Sequence, residues 1–165
     1  MPIRWKLFRI VCILQMLSAS VFMIMGTIRF FETGGFSAFI RIALFLVIFL
    51  QTILAVTILN SNYPDVPVTG KQKTNFNRLF LLNFLFLVFL FGIIFAEYRQ
   101  LNALAELTGK PVFTLPFELF VYLISSLAIL IFQFIILYGL YLLRRELYIN
   151  FMKREFEFEK NQPLE

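Results

Sequence analysis

Long apolar runs separated by short polar breaks organise this chain. They cover residues 7–31, 39–59, 79–96 and 117–143. Crossing a hydrocarbon core of ~30 Å takes a helix of about 20 residues, and each run approaches or exceeds that. A barrel strand would alternate polar and apolar over about ten residues, and these runs do not alternate. A backbone in lipid must bond to itself, which leaves helix as the expected form. The pattern predicts an all-α fold, a four-helix antiparallel transmembrane bundle in residues 1–143. A basic amphipathic helical tail is expected over 144–165.

The breaks carry turn chemistry. Gly34 and Gly35 close the first run, because glycine readily takes the left-handed conformation that ends helices. Ser37 is the expected N-cap of the second helix. "NSNYPDVP", residues 60–67, should end that helix, since proline cannot continue it. Asn75 or Asn77 is the expected cap of the third. Helix-prone sequence carries the third helix on to Thr108, and "GKP" from Gly109 stops it. Pro116 is placed to start the fourth. Glu118 in its first turn suits the helix dipole as a capping anion. A basic leader and "SAS" at Ser18–Ser20 resemble a signal-peptidase site, but "VFMIMG" continues the apolar run beyond it. An uncleaved first span is expected.

Composition sharpens the membrane reading. The chain of 165 residues is 60% hydrophobic and 15% charged, with 23 Phe. Soluble domains run about 45–50% apolar and about 25% charged. A small soluble core could not hide this surplus, because small domains leave much of their area exposed. The net charge of +5 does not signal nucleic acid, because Lys and Arg sit at the ends of apolar runs. There they anchor a chain at lipid headgroups. Cys12 is the single cysteine, lies within the first run and is expected to act as a small core hydrophobe.

Charge also predicts threading. Arg4, Lys6 and Arg9 flank the first run. Lys71, Lys73 and Arg78 lie in the second break, and Arg144, Arg145, Lys153, Arg154 and Lys160 lie in the tail. The other side holds only Arg29, Arg41, Arg99 and Lys110. The positive-inside rule then places both termini in the cytoplasm. Trp5, Tyr98, Tyr122, Tyr138 and Tyr141 fall where an interfacial aromatic belt would lie. Short loops without cysteine pairs fit a bacterial inner membrane.

Each apolar run contains one amide: Gln15, Gln51, Asn83 and Gln133. In "LFLLNFLFLVFLFGIIF", residues 79–95, Asn83 is the lone side chain that lipid would reject. An amide facing hydrocarbon costs several kcal/mol, so all four are expected to point inward and bond across helices. At 100° per residue, Gln15 shares a face with Ser18, Ala19, Phe22 and Gly26. Gln51 lines up with Ala43, Val47 and Ala55, and Gln133 with Tyr122 and Ser126. In the third helix Asn83 and Glu97 share a face. Gly92 and Ala96 form a small-xxx-small pair on roughly the opposite one, a candidate helix-packing contact with another subunit.

The chemistry on offer is limited. There is no histidine, no Gly-rich phosphate loop, no paired-cysteine site and no HExxH. "TGK" at Thr69–Lys71 is too short for a nucleotide loop. Arg9, Glu97, Glu118 and Arg144 lie near run ends, whereas proton-coupled carriers need an ionisable group in mid-membrane. No catalytic, cofactor or metal site is expected. In the tail, Leu143, Leu147, Phe151 and Phe158 make an apolar stripe flanked by Arg144, Arg145, Lys153 and Arg154, candidate contacts for anionic lipid or a partner. "NQPLE" at the end is expected to be disordered. The expectation is a non-enzymatic multi-pass membrane protein, an accessory or scaffold subunit whose partners are the lipid bilayer and other membrane subunits or further copies of itself. The alternative is a small transporter or channel with an amide-lined cavity.

Overall fold

The computed structural model describes residues 1–109 and 117–160. Expectations resting on Lys110, Pro116 and 161–165, and on the side chains of Glu118, Tyr122 and Lys160, lie outside the described residues. The described residues form helices and no strand. The helices are α1 (Ile3–Thr33), α2 (Phe36–Asn62), α3 (Gly70–Thr108) and α4 (Phe117–Lys160). All four are long and apolar enough to cross a membrane.

Cross-contacts give the topology. Gly26 lies against Ile42, and Phe22 stacks on Phe45 at 5.0 Å, so α1 and α2 run antiparallel. Asn62 bonds Gln72 while Arg41 faces Glu97, so α2 and α3 do the same. Arg144 reaches Asn77 and Phe91 meets Phe134, which sets α3 against α4. Arg4 bonds Glu146 and closes the ring between α1 and α4. The α2 and α4 helices run parallel across the centre, bonded there through Gln51 and Gln133.

Local chemistry explains most of the ends. Gly34 takes φ 61°, and its N–H donates to the Phe30 carbonyl at 2.8 Å, so α1 stops there. Gly35, in extended backbone, is the N-cap of α2. The expected cap at Ser37 is therefore corrected: a link of only two glycines starts α2 earlier and leaves Ser37 in its first turn. Tyr63 is extended, as a residue before proline must be, and α2 ends at Asn62. The expected caps at Asn75 and Asn77 are corrected as well. Thr69 caps α3 through a reciprocal capping box with Gln72. Gly109, at φ 61°, ends α3.

The interior is two apolar clusters stacked along the bundle. One, toward the termini, gathers Trp5, Phe8, Cys12, Ile58, Leu59, Phe76, Ile136, Leu140 and Leu147. The other gathers Ala19, Phe22, Leu44, Phe45, Ile48, Leu87, Leu90 and Ile129. The expected belt position of Trp5 is corrected: its ring is buried, edge-on to Phe8 at 5.7 Å and beneath the Arg4 guanidinium. Tyr98, Tyr138 and Tyr141 are exposed. The buried face of α2 is Leu44, Ile48, Gln51, Ala55 and Ile58, with Ala43 and Val47 at its half-buried flank. Large aliphatics take the centre because α2 meets α1, α3 and α4 at once.

Gly139 is packed directly under the Phe8 ring, where a Cβ would overlap it. Phe8 is itself buried and has no room to swing away. Gly92, by contrast, has nothing within 4 Å of a built Cβ. Gly139→Ala should lower stability by about 1–3 kcal/mol through overpacking. Gly92→Ala should leave it unchanged or raise it by up to about 1 kcal/mol through helix propensity. Unfolding equilibria of the two variants in mild detergent check this contrast.

Candidate functional site

Between the two apolar clusters lies a layer of four amides. Gln15, Gln51 and Gln133 are 0% exposed and Asn83 is 1% exposed. One comes from each helix, set at one level because each occupies a corresponding depth of its apolar run. Burial in such surroundings leaves an amide one remedy, another polar group within reach.

The bonds form a directed chain. Gln15 Nε2 donates to the Gln133 Oε1 at 3.0 Å and to the Ile129 backbone carbonyl at 3.2 Å. Gln133 Nε2 donates to Gln51 Oε1 at 3.2 Å. Asn83 Nδ2 donates to that same oxygen. The direction follows from Ile129. A backbone carbonyl only accepts, so the Gln15 nitrogen must face it. Gln133 must then present its oxygen to Gln15 and its nitrogen to Gln51, and Gln51 must answer with oxygen. Gln15 Oε1 and Gln51 Nε2 are the two amide atoms left without a hydrogen-bond partner.

Other polar side chains gather at the ends. Toward the termini, Glu146 accepts from Arg4 at 2.7 Å and from the Tyr63 hydroxyl at 3.1 Å. Burial, then the bond to the Glu146 carboxylate, pushes the Tyr63 pKa up and keeps it a donor. Arg9 donates to Asn60, Asn150 to the Pro64 carbonyl at 3.0 Å, and Arg154 pairs with Asp65 at 2.9 Å. At the far end Arg41 faces Glu97 at 3.8 Å.

The candidate residues thus separate into groups. Gln15, Gln51, Asn83 and Gln133 come together. Gly92 and Ala96 lie exposed on α3, with no place in the interior. Arg144 and Arg145 line a cavity of about 450 Å³ with Lys73, Tyr141 and Tyr148. Arg154 is tied to Asp65, and Lys153 is exposed. Among the described residues, no group of three His, Cys, Asp or Glu side chains could hold a metal ion. No protein-family model, curated protein or solved structure matches the chain.

The bonding pattern ranks the amides. Gln51→Leu removes the acceptor shared by Gln133 and Asn83, leaving two buried donors unmet. At about 0.6–2 kcal/mol per interhelical bond, the loss should be about 1–4 kcal/mol. Gln15→Leu takes its donor from the Gln133 oxygen and from the Ile129 carbonyl; a carbonyl inside α4 keeps its helical bond, so one buried acceptor is left unmet and the cost should be about half as much. Gln133→Leu should cost least, because Gln15 keeps the Ile129 carbonyl and the Gln51 oxygen keeps Asn83; denaturation in mixed micelles should order the variants Gln51→Leu, then Gln15→Leu, then Gln133→Leu, from most to least destabilised.

Proposed function

We propose that this chain is a non-enzymatic, multi-pass integral membrane protein serving as an accessory or scaffold subunit of a membrane assembly. Both termini lie in the cytoplasm, and the short links and lone cysteine fit a bacterial inner membrane. The observation that carries the subunit role is the outer face of α3. Along it Leu81, Leu85 and Phe89 are exposed, and Gly92 and Ala96 are uncovered beside them. A helix with small side chains on its surface lets another helix approach closely. The amides, by contrast, are spent largely on one another, as a structural layer requires.

A carrier reading has one observation in its favour, the unpaired Gln15 Oε1 and Gln51 Nε2. A polar solute would find one acceptor and one donor there. The described cavities lie elsewhere, however, and none is lined by an amide of the layer.

Native mass spectrometry of protein extracted from its own membranes tests the proposal. A specific complex is expected, and Gly92→Phe should abolish it while the isolated chain stays folded. Strictly monomeric, partner-free protein would overturn the subunit role. Thiol labelling in intact cells tests threading, in a Cys12→Ala background. A cysteine replacing exposed Ser61 should be shielded from impermeant reagent, and one replacing exposed Phe36 should react.

A further inference from the structure

Two grooves lie end to end along the seam between α3 and α4. One, about 420 Å³, is walled by Phe80, Phe84, Val88, Phe91, Phe134 and Tyr138. Its wall is almost wholly apolar. Tyr141 belongs both to this groove and to the cavity toward the termini, where Lys73, Arg144 and Arg145 stand. The two spaces therefore adjoin at Tyr141.

Dimensions and charge identify the occupant. From Phe80 to Phe91 the groove follows eleven residues of α3, a rise of ~16 Å. One leaflet of hydrocarbon is about 15 Å thick, half of a ~30 Å core. Arg144 lies one helical turn beyond Tyr141 on α4. Lys73 lies ~10 Å beyond Phe80 on α3. An acyl chain laid along the Phe wall would therefore bring its headgroup level with three cations.

Those cations are not neutralised from within. The nearby acids are committed elsewhere: Glu146 to Arg4 and Tyr63, and Asp65 to Arg154. Among the described residues, no carboxylate lies within ion-pair distance of Lys73, Arg144 or Arg145; Arg144 has only the neutral Asn77 amide, at 3.4 Å. The exposed Tyr148 at the same mouth adds a phenol that can donate to a phosphate oxygen.

We propose that the α3–α4 seam is a binding site for an anionic glycerophospholipid, its acyl chain along the Phe wall and its phosphate held by Lys73, Arg144 and Arg145. The inference rests on the membrane-spanning reading above, but not on the subunit role.

Native mass spectrometry of detergent-purified protein with added phosphatidylglycerol or phosphatidylcholine tests it. Retention of phosphatidylglycerol should exceed that of phosphatidylcholine by about tenfold or more, and each cation changed to Gln should lower it about fivefold. Lys73→Arg, Arg144→Lys and Arg145→Lys together should keep the preference, which separates charge from any loss of folding. Val88→Trp, placed in the groove wall, should reduce retention of both lipids. Glycerol phosphate alone, lacking an acyl chain, should not be retained. Equal retention of the two lipids, indifference to the Gln changes, or retention of glycerol phosphate as strong as that of lipid would overturn the site. Protein that stays monodisperse without detergent would instead overturn the membrane reading itself.

Discussion

An amide buried in hydrocarbon must find another polar group, and this constraint organises the bundle. Apolar packing alone would let helices rotate and slide with little penalty, because one Leu or Phe substitutes well for another. The layer of Gln15, Gln51, Asn83 and Gln133 removes that freedom. Each helix must turn one particular residue inward, and at one level. Gln51 matters most because its oxygen collects donors from two helices. Through it α3, the least buried of the four, is tied to the centre.

The two ends of the bundle are built differently. Toward the termini, Arg4, Tyr63 and Glu146 join α1, the α2–α3 link and α4, and Arg154 and Asn150 fasten that link again. These are partly exposed contacts, individually worth little. Together they hold the α2–α3 link and the start of α1 against α4. At the opposite end the Arg41–Glu97 pair is longer, at 3.8 Å.

Much of this was legible in the sequence, and the exceptions are instructive. Helix number and approximate limits follow from apolar runs, because a run of about twenty such residues has few other solutions. The amides announced themselves by contrast with their neighbours. The α3 cap did not, since Thr69 and Gln72 sit in a polar stretch where Asn75 and Asn77 look equally apt. Yet Thr-x-x-Gln ahead of an apolar run is a recognisable capping signal. The place of Trp5 is not legible in the sequence, because position along a helix sets its depth while only packing shows whether a ring faces lipid or core. Gly139 carried no local signal at all: its need for a missing side chain comes from Phe8, more than a hundred residues away in the chain. The seam beside Tyr141 is likewise a property of two helices together, invisible in either.

The shared level of the amides has a mechanical consequence. Sliding one helix past another by a single turn displaces it 5.4 Å, well beyond hydrogen-bond reach, so axial slip breaks the layer outright. Small tilts about that level leave the bonds nearly unchanged, since atoms near a fulcrum scarcely move. The lowest-energy deformation is therefore a scissoring of the helices around the amide plane. Opening at one end would be accompanied by closing at the other, and a lipid wedged in the seam between α3 and α4 would bear directly on that balance.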